Sequence, residues 1–107
     1  MVRSFSMLLF FSVAACSPQT SSPQNNLATR GRSIYMAQCI SCHAADPSQD
    51  GPVGPAVSGA SRELLEARLL HRSYPPGYPP KRTTQIMQSF PHLEKEIPAL
   101  EAFLVKR

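Results

Sequence analysis

The sequence contains no tryptophan, and only 7% of its residues are aromatic. Its 107 residues leave room for one small domain, and small domains bury a smaller fraction of their surface than large ones. A core built from side chains alone is therefore thin, and a disulfide, a metal or a large buried cofactor is expected to support it. Cysteine is scarce as well, with three in the chain. A structural zinc site commonly draws its four ligands from two cysteine or histidine pairs. After Cys39, Cys42 and His43 in the chain only His71 and His92 follow, far apart, so the usual second pair is missing. No apolar run reaches the ~20 residues that span a bilayer comfortably. The formal charge of +4 is mild and lacks the dense basic stripe of a nucleic-acid-binding surface. No internal repeat is present.

What the chain does have begins with a leader. "MVRSFSMLLFFSVAAC" carries a basic residue at Arg3, an apolar run from about Met7 to Ala15, and small residues before Cys16. This is the pattern of a secretory signal over residues 1–15. Its ending, "VAAC", resembles the lipobox of bacterial lipoproteins. That resemblance implies that Cys16 is the acylated first residue of the mature protein, anchored stably because more than one acyl chain is attached. Ser17, rather than Asp, follows Cys16, which in the sorting rule of enteric-type bacteria favours the outer membrane. Residues 17–26 hold no charge and no apolar side chain. They are expected to form a flexible tether, so that 16–28 make a lipidated linker and 29–107 the folded domain.

The domain reads as helical. A first helix is expected from 29 or 30 to 40, with Thr29 as its N-cap and Gly31, Tyr35 and Cys39 on one face. Gly and Pro mark 44–60 as a loop. Ser61 caps a second helix, "SRELLEARLLH", with Glu63 suiting its first turn and Arg72 its end. The four prolines of 73–84 exclude a regular helix and disfavour a strand. A last helix runs from about His92 to Val105, its apolar stripe formed by Ile97, Leu100, Phe103 and Leu104. Pro98 fits if that helix starts near 94–97. The expected class is all-α.

The densest chemistry lies in "CISCH", Cys39 to His43. Two cysteines at this spacing suit a redox dithiol, half a zinc site or covalent attachment of haem. A thioredoxin-like dithiol opens a helix after a strand; here the motif closes a helix and no strand pattern precedes it. Covalent haem uses every residue. The thiols of Cys39 and Cys42 add to the two vinyl groups, and His43 is placed beneath the iron as an axial ligand. Export agrees, because thiols outside the cytoplasm must be committed to something. The cysteines are then all assigned, Cys16 to lipid and the other two to haem.

From about residue 29 to 107 the chain resembles the class I mono-haem c-type cytochromes. "GRSIYMAQCISCH", "GPVGP" and a methionine before a final helix ending "EAFL" carry the likeness. The resemblance implies a small cytochrome c fold, three or more helices wrapped around one covalently attached haem c. It places Gly31 and Tyr35 against Phe103 and has the Pro55 carbonyl accept from His43 Nδ1, fixing the ring. For the sixth ligand, Met1 and Met7 fall in the leader, and Met36 is tied to the attachment side by its closeness to Cys39. Met87 lies where the family carries its ligand, although Gln88 stands where the family often has proline. His71 and His92 are rival ligands.

The implied function is an electron carrier, not an enzyme by itself, though it could serve as an electron-transfer subunit of a larger complex. Its partners would be a dehydrogenase, an oxidase or another cytochrome, on the periplasmic side of a membrane. The alternative is a haem-based sensor or small-ligand binder with an open or displaceable sixth position. Arg68, Arg72, Lys81 and Arg82 cluster around the Pro-rich loop. They are read as an ordinary solvated surface partly balancing the haem propionates, with an acidic docking partner as the sharper possibility.

Overall fold

The structure is a computed structural model and describes residues 12–105. The leader expected at residues 1–15, with Arg3, Met1 and Met7, lies almost wholly outside the described residues. Three α-helices and one 3-10 helix follow in order: α1 Pro23–Gln38, α2 Arg62–His71, the 3-10 helix Pro91–Glu96, and α3 Ile97–Leu104. No strand occurs among the described residues. No helix among them is long and apolar enough to cross a membrane.

Helix α1 starts earlier than its apolar periodicity indicates. Ser22, not Thr29, is the N-cap, its side chain accepting from Asn25 N–H, and Pro23 occupies the first turn. Proline belongs there because that N–H has no helical partner and φ is already set. Thr29 instead donates its hydroxyl to the Asn25 carbonyl at 2.8 Å, inside the helix. The expected tether of 17–26 is exposed throughout, but its backbone is irregular only as far as Ser22. The opening turn is polar on every side, so a search for buried periodicity cannot detect it.

Helix α2 begins as expected, with the Ser61 side chain accepting from Leu64 N–H at 3.2 Å. It ends at Arg72, in the left-handed region at φ 51°. The Arg72 guanidinium donates to the Gln85 carbonyl at 2.9 Å, which ties the returning loop to this cap.

The expected last helix divides in two. Pro98 has no N–H to give the Glu94 carbonyl, and its ring would crowd that oxygen. Glu94 O takes the N–H of Ile97 instead, so the chain winds tightly to Glu96 and becomes α-helical at Ile97.

Helix α3 packs chiefly against α1. The crossing is at Gly31, where a Cβ would overlap the Ala99 carbonyl and meet Phe103 Cβ. Tyr35 and Phe103 lie ring to ring one turn on, centroids 5.4 Å apart. Arg30 and Glu96 clamp the same pair of segments from outside, and Arg62 with Glu101 ties α2 to α3 at 2.7 Å. Tyr35, Leu65, Leu69, Ile97, Leu100 and Leu104 form one contiguous core. It is small, as the scarcity of aromatics implies, and on one side it opens onto a cavity.

Candidate functional site

The C-terminal end of α1 supplies the first wall. Cys39 caps the helix, its N–H bonded to the Tyr35 carbonyl at 2.9 Å. His43 N–H then bonds to the Cys39 carbonyl, also at 2.9 Å. The five residues of "CISCH" thus curl through one further turn, which turns His43 inward. His43 is 9% exposed, the buried polar side chain of the described residues, while Cys42 is exposed and Cys39 half-buried.

The "GPVGP" loop holds the imidazole. Val53 and Gly54 donate their N–H groups to the Cys42 carbonyl at 3.1 and 2.8 Å, folding the loop back over the motif. Gly54 then lies against the ring: a Cβ there would stand 2.5 Å from His43 Cε1 and 2.7 Å from Nδ1. Beyond it the Pro55 carbonyl lies 2.8 Å from Nδ1. A carbonyl only accepts, so Nδ1 carries the proton and the neutral ring keeps its lone pair on Nε2. Nε2 makes no hydrogen bond among the described residues.

The cavity beside this histidine has a volume of about 570 Å³, within the ~300–1,000 Å³ of small-molecule and cofactor sites. Cys39, Cys42 and His43, Leu65 and Leu69 of α2, and Met87 all line it. Met36 packs on the core without lining the cavity. His71 and His92 are exposed and outside it. The sequence-derived candidates Cys39, Cys42, His43, Pro55 and Met87 therefore share one cavity, while Cys16 stands apart on the exposed N-terminal segment.

The other two chemistries of the motif find no support in this geometry. Among the described residues no three His, Cys, Asp or Glu side chains gather as a metal site. Burial, and then the neighbouring Cys42, push the Cys39 thiol up to about 11, whereas a redox dithiol works through a lowered thiol pKa. The donor set suits an iron porphyrin: two thiols at one edge, an imidazole nitrogen with a free lone pair, a thioether, and apolar walls between them.

The four basic residues around the Pro-rich loop are largely engaged within the molecule. The Arg68 guanidinium sits 4.3 Å over the Tyr74 ring, and Tyr74 stacks on Tyr78. Lys81 donates to the Ala56 carbonyl at 2.8 Å, and Arg82 pairs with Asp50 at 3.2 Å. Gly54, Asp50 and the anchoring role of Lys81 and Arg82 were not legible in the sequence. The doubled glycine of "GPVGP" was the one available signal, since two glycines beside a binding motif suggest close approach of the backbone.

The family model for cytochrome c matches residues 28–107. A protein of Synechocystis sp. named cytochrome c-553-like is 36% identical over 45 residues, covering 42% of this chain and 41% of that protein. The match thus spans about two fifths of the relative's own length. No solved structure matches the chain.

Proposed function

The chain belongs to the cytochrome c family, and from that membership we propose that it is an exported one-electron carrier holding a single haem c through Cys39 and Cys42. Its three helices, with no strand among the described residues, form the small all-α cytochrome fold. One observation supports the site assignment above all. Cys39, Cys42, the buried His43 and Met87 line a single cavity with Leu65 and Leu69.

When bound, the haem supplies a ferrous–ferric couple that gives and takes one electron. The chain does the rest. His43 would hold the iron through Nε2, and its hydrogen bond to Pro55 keeps the ring aimed and would make it a stronger donor. Met87, also on the cavity lining, would offer a thioether to the iron, a ligand that favours the ferrous state and raises the potential. Leu65 and Leu69 give the cavity an apolar wall. With His43 and Met87 both held for the iron, the protein would be a carrier rather than an enzyme in itself, and Met87 on the cavity wall weighs against the open site of a sensor.

Electrons would pass through the exposed edge near Cys42 to a dehydrogenase, an oxidase or another cytochrome. The signal and "VAAC" support export and acylation at Cys16, with the domain held at the periplasmic face of a membrane, the outer one if the cell has two. A redox titration followed by absorption, on protein matured in the periplasm, tests this function. The expected result is a reversible one-electron couple with the weak long-wavelength ferric band of sulfur–iron ligation, a band lost in Met87→Ala. A wild-type protein without that band, or a variant that keeps it, would refute the Met87 assignment.

A further inference from the structure

We propose that Asp50 is a positioning residue for His43, acting through the peptide group between Pro55 and Ala56 and so setting the reduction potential. The inference rests on the haem and ligand assignments above and concerns what holds the ligand. Proline has no N–H, so nothing can grip Pro55 through its own nitrogen. Its carbonyl belongs to the same planar unit as the N–H of Ala56. The two ends of that unit point in opposite directions and cannot turn independently. The Ala56 N–H donates to Asp50 Oδ1 at 2.9 Å. The Pro55 oxygen, at the other end, accepts from His43 Nδ1 at 2.8 Å. Fixing the N–H on the carboxylate therefore aims the oxygen at the imidazole.

The same line of bonds carries charge as well as geometry. A carboxylate pulling on an amide N–H enriches the carbonyl oxygen, because hydrogen bonds in a chain polarise one another. A richer acceptor draws more strongly on Nδ1–H and makes Nε2 a stronger donor. A stronger donor stabilises ferric iron and lowers the potential. Asp50 is itself held by the Pro-rich loop. Arg82 meets its second oxygen at 3.2 Å, and Lys81 takes the Ala56 carbonyl at 2.8 Å. The carboxyl sits below its usual range, first because of the Ala56 N–H and then because of Arg82, so it is an anion at neutral pH. Lys81 and Arg82 precede Met87 on the same loop, so this network ties the histidine's acceptor to the segment that carries the other ligand.

The test compares two substitutions in the full haem-loaded protein. Asp50→Asn keeps an oxygen for the Ala56 N–H and loses the charge; Asp50→Ala loses both. Both potentials are expected to rise, with the Ala shift clearly the larger and Asn restoring part of the difference. An unfolding curve run alongside separates this from mere loosening, since a purely structural Asp50 would lower stability and leave the potential in place. Equal shifts in the two variants would mean that only a through-space charge is felt, and would overturn the proposal. So would unchanged potentials. If the wild-type chain carries no covalent haem, or His43→Ala keeps the wild-type spectrum, the ligand assignment itself fails and the role given to Asp50 falls with it.

Discussion

Tyr35 is 1% exposed, and its hydroxyl donates to the Ala44 carbonyl at 2.6 Å. That bond fastens α1 to the chain just beyond His43. Removing the hydroxyl in Tyr35→Phe should cost about 1 kcal/mol at neutral pH, with the carbonyl left short of a partner. The pH dependence has a definite sign. Burial, followed by the nearby Cys39 and Asp46, pushes the phenol up to about 12, against ~10 for a free tyrosine. The folded state therefore holds the proton longer than the unfolded one. This stabilisation is complete below pH ~10 and disappears as the pH rises through about 12. Denaturant midpoints between those pH values should fall in the wild type and stay flatter in Tyr35→Phe. Parallel curves would show that another group governs the alkaline side. At this scale the sequence pointed to the residues proposed to bear chemistry and not to those proposed to hold them. Cys39, Cys42 and His43 announce themselves by spacing. Gly54 and Asp50 act through a ring face and an amide plane, and neither relation has a sequence period.

Helix α1 carries a glycine where helix propensity alone would choose alanine. In an exposed helix Gly31→Ala would gain roughly 1 kcal/mol. Here the added methyl meets the Ala99 carbonyl, which is backbone of α3 and cannot rotate away. The two helices must separate, at a cost typical of overpacking, about 1–3 kcal/mol or more. Gly31→Ala should therefore unfold at lower denaturant than the wild type, and an unchanged or higher midpoint would refute the close crossing. The separation should also disturb the Tyr35–Phe103 contact one turn on. Element positions were legible where a buried face repeats, as with Leu65 and Leu69 of α2 or Ile97, Leu100 and Leu104 of α3. The ends were less so. Ser22 and Pro23 make a competent start, yet nothing in the turn they open is buried, and Pro98 enforces a tight 3-10 segment where a stripe of apolar residues suggests one helix.

At the scale of the whole molecule, the cavity side and the N-terminal segment are separable. The described chain from residue 12 to Ser22 is irregular and exposed, and Cys16 within it lines no part of the cavity beside His43. If Cys16 carries lipid, its acyl chains fix where the protein resides without touching the iron or its ligands. One acyl chain binds a membrane only marginally and reversibly, whereas two or more hold it. Cys16→Ser should move the protein from the membrane fraction to the soluble fraction and leave the reduction potential and the sulfur–iron band unchanged. Retention of Cys16→Ser in the membrane would place the anchor elsewhere, and a wild type already soluble would remove it. A shifted potential in Cys16→Ser would show that the N-terminal segment reaches the cavity after all. That would contradict the separation on which a tethered carrier depends: it must visit its partners while its iron site stays the same at every position it reaches.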